Sequence, residues 1–224
     1  MSKIKEKLPD INLPAADQAF LLLASLFSGL LVISNILAVK PVEVSGGVIV
    51  PAAVLAYALT FPITDAISEV WGRKRAKALV LAGFVTSLVA AVMVRLAIWM
   101  PSAPFWTLQE AFQEILSSNF RIVAASMAAY LISQFHDVWA FSFWKKMTGG
   151  RHLWLRNNAS TAVSQLLDTV IFITLAFWGV WPEILPVIIG QFTVKILIAL
   201  ADTPLVYLLV GWLRRLQKAD GVQQ

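Results

Sequence analysis

The stretch FLLLASLFSGLLVISNILAV, residues 20–39, decides the fold because it runs for 20 residues without a charged side chain. A helix of roughly 20 mostly apolar residues crosses a bilayer core about 30 Å thick. The stretch therefore predicts a transmembrane helix. Basic residues precede it, as in a signal peptide. However, the apolar run continues to Val39 and contains no clear A-x-A cleavage site, so we interpret it as a retained first helix.

The composition of the whole chain agrees with this interpretation. Its 224 residues are 58% hydrophobic and 14% charged, and the mean hydropathy is +0.74. A soluble domain is about 25% charged. The composition thus excludes a disordered chain, a basic nucleic-acid-binding domain and an ordinary cytosolic enzyme, and it indicates a protein embedded in lipid. Because the chain has no cysteine, disulfides, thiolate nucleophiles and cysteine-based metal sites are excluded too.

The predicted fold is an all-α integral membrane protein with six transmembrane helices. We place the helices at about 18–39, 48–70, 77–100, 119–144, 159–181 and 184–212. They form one transmembrane domain, 18–212, between an N-terminal segment, 1–17, and a C-terminal tail, 213–224. A tight turn at 181–183 joins the last two helices. The longest connection, 101–118, is either an amphipathic helix in the membrane interface or an ordered loop.

The basic residues alternate between the two sides of this bundle. Fourteen of the 18 lie on one side: Lys3, Lys5, Lys7, Arg73, Lys74, Arg75, Lys77, Lys145, Lys146, Arg151, Arg156, Arg214, Arg215 and Lys218. The opposite connections hold Lys40 alone. The positive-inside rule therefore predicts that both termini are cytoplasmic and that the number of helices is even. The basic pI is a sign of topology rather than of nucleic-acid binding.

Several ionisable residues fall within the predicted helices, where they are costly and usually mark a functional site. They are Asp65, Glu69, His136, Asp137, Asp168, Lys195 and Asp202, with Arg95 and Arg121 near the outer ends. The four aspartates are all predicted in the cytoplasmic half of the membrane. An isolated charge at mid-bilayer costs at least ~2.5–3.5 kcal/mol, so we expect a shared polar cavity that offsets this cost.

Helical spacing supports a cavity, and one short sequence pattern occurs twice. Polar stripes follow three helices: Tyr130, Gln134, Asp137 and Phe141; Asn158, Thr161, Gln165, Asp168 and Phe172; Gln191, Lys195 and Asp202. The pattern S-Q-x-x-D-x-x-x-F occurs at 133–141 and again at 164–172, on helices of opposite direction. A glutamine and an aspartate three residues apart offer an amide and a carboxylate to a planar ligand, whose face a phenylalanine could cover. Chance similarity, or polar contacts that simply join helices, is the alternative explanation.

Structural roles also stay open for individual residues. Asp65 and Glu69 are spaced to pair with Arg73 and Arg75 at a helix end. Lys195 is deep enough to need a counter-ion, and the candidates are Asp168 and Asp202. Arg95 and Arg121 are expected to extend to the outer interface. His136 is interpreted as a packing residue or a secondary proton acceptor.

Catalytic motifs are missing from the sequence. It contains no H-E-x-x-H, no G-x-S-x-G and no P-loop. Ser133 or Ser164 with His136 is the one conceivable nucleophile–base pair, and it has no flanking signature. An intramembrane enzyme therefore stands only as a third interpretation, and no cofactor or metal is predicted.

Four segments, in this order and spacing, resemble the queuosine-precursor transporter family, also named for vitamin uptake. They are N-x4-K at 35–40, FPxTDxxxExxGRKRA at 61–76, SxxAYxxxQxxDV at 126–138 and WLRNNxSTxxSQxxDT at 154–169. The resemblance covers about residues 20–212. It implies a six-helix protein of the bacterial inner membrane that imports 7-cyano-7-deazaguanine or 7-aminomethyl-7-deazaguanine. The implied partners are this small molecule and membrane lipid, without nucleic acid.

Beside this resemblance, the residues yield a site hypothesis. Asp137 or Asp168 would accept the donors of a guanine-like edge, and Gln134, Gln165 and Asn158 would complete it. Aromatic rings would stack on the heterocycle. The full predicted site is Asn35, Asp65, Tyr130, Gln134, Asp137, Phe141, Asn158, Gln165, Asp168, Phe172, Lys195 and Asp202.

Two questions about the mechanism stay open. A substrate-binding subunit of an energy-coupling-factor importer, which needs a separate ATPase, is the second interpretation. Transport could be driven by protons, by another ion, or by facilitated diffusion with metabolic trapping. A homo-oligomer is compatible with the sequence but is not specified by it.

Overall fold

A computed structural model describes residues 13–44, 46–147, 153–201 and 203–221. In these ranges the chain is mostly helical, as predicted, with one small hairpin. The elements are α1 (Ala15–Leu37), β1 (Pro41–Val44), β2 (Val48–Pro51), α2 (Val54–Trp71), α3 (Arg73–Trp99), α4 (Gln109–Leu116), α5 (Asn119–Met147), α6 (Leu153–Phe177), α7 (Ile184–Ala201) and α8 (Thr203–Ala219).

Three helical stretches of the described chain are long and apolar enough to cross a membrane. They are Ala15–Leu37, Arg73–Trp99 and Gln109–Ser133, and shorter apolar helices cover Ala162–Phe177 and Ile184–Ile198. Many large apolar side chains on these helices are exposed, among them Leu81 and Leu131. Such exposure suits a surface surrounded by lipid rather than by water. The molecule is a multi-pass membrane protein.

A β-hairpin corrects the start of the predicted second helix. Residues 48–51, which we assigned to that helix, form β2 and pair with β1 in antiparallel register, Pro41 opposite Pro51 and Val44 opposite Val48. Helix α2 begins only at Val54. Each strand has four residues, so the apolar run through 48–51 is too short to distinguish a strand from a helix by its periodicity.

The connections between helices differ in length. Gly72, with φ +87°, is the single residue between α2 and α3. The predicted turn after α6 is present at 178–183, with Gly179 at φ +77°, but α6 ends at Phe177 rather than at 181. The connection 101–118 combines both expected forms, because a non-helical segment leads into α4. The predicted sixth helix falls on α7 and α8, and Asp202 between them lies outside the described residues.

Two apolar clusters hold the bundle together at opposite ends. One joins α1, α2, α3 and α8 through side chains such as Phe27, Ile67 and Leu213. The other joins the end of α1 to α5, α6 and α7 through Ile122 and Ile173, among others. In lipid, helices gain little from hydrophobic burial and associate mainly by close packing. Between these two clusters lies the polar region described below.

The two ends of the described chain meet at one end of the bundle. Helix α1 begins after Pro14 without a capping side chain of its own. Instead, the Asp220 carboxylate accepts hydrogen bonds from the backbone N–H groups of Ala15 (3.0 Å) and Ala16 (2.7 Å). Helix α8 therefore continues beyond residue 212, into the segment predicted as a tail, and its end caps α1.

Asp220→Ala is expected to destabilise the fold by about 0.5–2 kcal/mol, the usual effect of removing a helix cap. Both N–H groups lose their acceptor, and the carboxylate no longer interacts with the positive end of the α1 dipole. Thermal unfolding of the purified protein in detergent measures this change. Asp220→Asn is the matched control, since it keeps one acceptor oxygen and should fall between the other two proteins. An unfolding temperature for Asp220→Ala equal to that of the wild type would contradict the capping role.

Candidate functional site

A cavity of about 610 Å³, counting space open to solvent, lies beside the hairpin. We call it the hairpin-side cavity. Five helices contribute polar or aromatic groups to its wall: Ser34, Asn35, Tyr57, Ser126, Phe172 and Gln191. Pro51 of β2 forms part of the same wall. The hairpin that the sequence did not reveal is therefore a structural part of the cavity.

A second space of about 860 Å³, measured in the same way, lies nearer the end of the bundle where α1 begins. We call it the α3-side cavity, because Val80 and Phe84 of α3 line it. Leu31 of α1, Tyr130 of α5 and Gln165 of α6 complete its wall. Leu31 and Gln165 lie one to two turns nearer the amino-terminal ends of α1 and α6 than Ser34 and Phe172, which line the hairpin-side cavity.

Four residues line both cavities and form the partition between them: Tyr57, Phe61, Asp168 and Lys195. Lys195 Nζ lies 2.7 Å from Asp168 Oδ2, which makes a hydrogen-bonded ion pair between α7 and α6. The side chains keep 8% and 22% of their surface exposed. Taking two charges out of water is expensive, and such a pair often contributes less to stability than apolar packing would. A buried pair at the boundary of two cavities therefore points to a functional role.

Neutral polar groups surround this ion pair. Tyr57 interacts with the Ser126 side chain and lies close to Asp168. Its ring packs edge-on against Phe61, with 5.6 Å between ring centroids. Within the described part of the chain, the buried Gln191 Oε1 has no hydrogen-bond partner. Burying an acceptor without a partner is costly, and Gln191 is one of the residues that line the hairpin-side cavity.

Seven of the twelve predicted site residues have described side chains. Six of these line one or both cavities: Asn35, Tyr130, Gln165, Asp168, Phe172 and Lys195. Their roles toward a ligand stay predictions. The predicted side chains of Gln134, Asp137, Phe141 and Asn158, and the whole of Asp202, lie outside the described residues.

Asp65 is exposed on α2 and is not among the described residues that line these two cavities. Its place in the site stays a prediction. Glu69, one turn further along α2, forms an ion pair with Arg214 of α8 at 2.5 Å. The predicted helix-end ion pair of Glu69 thus involves Arg214 rather than Arg73 or Arg75. Helical spacing predicted that Glu69 pairs with an arginine, but it did not predict that this arginine belongs to α8.

Two other polar residues of the bundle have structural partners. Arg121 donates hydrogen bonds of 2.7 Å to the carbonyl oxygens of Leu175 and Trp178. It therefore binds the carboxyl end of α6 rather than simply extending to the interface. His136 Nδ1 lies 3.0 Å from Ser164 Oγ, which joins α5 to α6.

Several residues that line the hairpin-side cavity were not among the predicted site residues: Ser34, Tyr57, Phe61, Ser126 and Gln191. Gln191 stands four residues before Lys195 on a polar stripe, so its position was available from spacing. Tyr57 and Phe61 also share one face of α2. Aromatic residues at this spacing are typical of ordinary helix packing, and nothing local marks them as part of a partition.

An apolar helical bundle that holds a polar cavity and a buried ion pair defines a class of protein, the multi-pass membrane transporter. The chain matches the family described as "Putative vitamin uptake transporter" over residues 51–209. Because this match covers more than half of the chain, the protein belongs to that family. It is therefore a transporter and not an enzyme, and the Ser164–His136 contact is not a catalytic pair.

Two curated relatives support the assignment. A protein of Bacillus subtilis (strain 168) named "Probable queuosine precursor transporter" is 33% identical over 179 residues, which cover 79% of this chain and 78% of the relative. The "Queuosine precursor transporter" of Escherichia coli (strain K12) is 28% identical over 148 residues, which cover 65% of this chain and 62% of the relative. No solved structure matches the chain significantly.

Proposed function

We propose that this protein imports 7-deazaguanine precursors of queuosine across the bacterial inner membrane into the cytoplasm. The observation that carries the proposal is the wall of the hairpin-side cavity, where Asp168, Gln191 and Asn35 lie together with the ring of Phe172. This combination of a carboxylate, two amides and an aromatic ring suits a flat heterocycle with several hydrogen-bonding groups. The names of both relatives point to the same class of ligand.

The chemistry of a 7-deazaguanine fits these groups. Its ring N–H and its exocyclic amino group are adjacent donors, which a carboxylate such as Asp168 and an amide oxygen such as Gln191 Oε1 accept. Its carbonyl oxygen accepts a hydrogen bond from an amide N–H, which Asn35 can donate. Phe172 covers the face of the ring.

The proposed topology has six membrane crossings and cytoplasmic termini. Two observations support it. The hydrogen bonds from Ala15 and Ala16 to Asp220 bring the start of α1 and the end of α8 together, which agrees with an even number of crossings. The basic residues concentrate in connections on that side, as the positive-inside rule demands of a cytoplasmic face.

The deciding experiment is uptake of labelled 7-cyano-7-deazaguanine by proteoliposomes that contain only this purified chain. We expect saturable uptake above that of protein-free liposomes. An inward proton gradient that accelerates uptake would identify proton coupling. Equal rates with and without proton and other ion gradients would identify facilitated diffusion, which a cell completes by metabolic trapping.

Two other results would contradict the proposal in different ways. Saturable binding in detergent without uptake would indicate a binding subunit that requires a separate energising module. Neither uptake nor binding would show that the ligand is wrong. Guanine, added in excess, is the matched competitor. It should block uptake if the site binds the shared edge of the heterocycle, and it should not if the site binds the 7-substituent.

A further inference from the structure

The two cavities share a single balanced pair of charges. Among the described residues that line them, Lys195 is the only cation and Asp168 the only anion. Their atoms Nζ and Oδ2 are 2.7 Å apart, and the Lys195 side chain is almost fully buried. The negative charge that would otherwise attract a cation is therefore already compensated at the point where both cavities meet.

We propose that Lys195 selects ligands by charge, so that the site accepts a neutral heterocycle and disfavours one that carries an ammonium group. This inference rests on the proposed function and concerns which 7-deazaguanine the site prefers. The nitrile of 7-cyano-7-deazaguanine is neutral. The primary amine of 7-aminomethyl-7-deazaguanine is protonated at neutral pH, as alkylamines with a pKa near 10 are.

Charge balance sets the direction of the expected preference. Because Asp168 lies 2.7 Å from Lys195 Nζ, the pair carries no net charge and gives a ligand's ammonium group little net attraction or repulsion. Entering the cavity still takes the ammonium group out of water, which is costly when no opposite charge compensates it. We therefore expect the neutral ligand to bind at least about tenfold more tightly than the cationic one.

A purely structural role for Lys195 makes a different prediction. The ion pair also joins α7 to α6, so replacing Lys195 would loosen the site whatever its selectivity. Loosening would weaken all 7-deazaguanines by a similar factor. Charge selection would change the ratio between cationic and neutral ligands. The ratio of affinities, rather than any single affinity, separates the two roles.

The test is calorimetric titration of the purified full-length protein in detergent at pH 7 with three ligands that share one ring system. These are the 7-cyano, 7-aminomethyl and 7-hydroxymethyl derivatives of 7-deazaguanine. The hydroxymethyl compound has nearly the same shape as the aminomethyl compound but no charge. In the wild type we expect both neutral ligands to bind at least about tenfold more tightly than the amine.

Two variants at Lys195 complete the test. Lys195→Arg keeps the charge and should keep the preference. Lys195→Met removes the charge at similar length, so the ligand's ammonium can take its place beside Asp168, and the affinity ratio should move at least about tenfold toward the amine. Because Lys195→Met alone leaves a buried carboxylate unpaired, the double variant Asp168→Asn/Lys195→Met serves as a second measurement. With neither charge present the net charge of the lining is again zero, so the preference for the hydroxymethyl compound over the aminomethyl compound should return toward that of the wild type.

The outcomes distinguish this inference from the proposed function. Equal wild-type affinity for the aminomethyl and hydroxymethyl compounds, or an unchanged ratio in Lys195→Met, would overturn charge selection and leave the proposed function intact. A wild-type protein that binds none of the three would overturn both.

Discussion

Asp168→Asn is expected to abolish uptake and to destabilise the protein. The substitution removes the negative charge 2.7 Å from Lys195 Nζ and leaves a buried ammonium group without its counter-ion. Breaking a buried pair by removing one partner typically costs about 3–5 kcal/mol. It also removes the carboxylate that we propose accepts the N–H groups of the ligand. A charge-assisted hydrogen bond contributes about 1.5–3 kcal/mol, so the affinity should fall by one to two orders of magnitude even in molecules that stay folded.

Two measurements separate these effects. Thermal unfolding in detergent reports stability, and uptake per folded molecule in proteoliposomes reports transport. The double variant Asp168→Asn/Lys195→Met should recover most of the stability, since no unpaired charge is left, but not the uptake of 7-cyano-7-deazaguanine. Asp17→Asn is the matched control, because it makes the same change at an exposed carboxylate in the first turn of α1. Uptake by Asp168→Asn at the wild-type rate would remove Asp168 from the site.

The sequence predicted those parts of the fold that depend on local composition. The first and third predicted helices correspond to α1 and α3 with small shifts at their ends, because long apolar runs have only one low-energy form in lipid. The counter-ion of Lys195 was narrowed to two aspartates from depth alone, and the structure identifies Asp168. In both cases the prediction depends on the free-energy cost of leaving a polar group unsatisfied in an apolar medium. This cost can be assessed from a short segment of sequence.

The rest of the site depends on contacts between distant segments. Glu69 and Arg214 are 145 residues apart, and no helical period relates them. Asp65 stands four residues after Phe61 on α2, yet it is not among the described residues that line either cavity; spacing along one helix does not fix how far a cavity extends. Tyr57 and Phe61 have the pattern of packing residues, and they line the cavities only because α5, α6 and α7 leave space beside them. The hairpin was missed because a short apolar strand and the start of an apolar helix look alike.

Gly190→Ala is expected to destabilise the protein and to reduce ligand binding, because α7 packs directly against the backbone of the hairpin at Gly190. A Cβ atom at this position would overlap the Ile49 carbonyl oxygen and would lie 3.0 Å from Val48 Cγ1. The carbonyl belongs to the backbone of β2 and cannot rotate away as a side chain could. Overfilling a packed contact costs about 1–3 kcal/mol, so the hairpin and α7 must move apart.

This displacement should reach the site, since Pro51 at the end of β2 and Gln191 next to Gly190 both line the hairpin-side cavity. We expect a lower unfolding temperature together with weaker binding of 7-cyano-7-deazaguanine. Gly29→Ala is the matched control: Gly29 lies within α1, and its Cβ would meet nothing within 4 Å. Alanine in place of a helical glycine should there stabilise the protein by about 0.5–1 kcal/mol. If both variants unfolded at the same temperature and bound the ligand equally well, the hairpin would not be a fixed wall of the cavity.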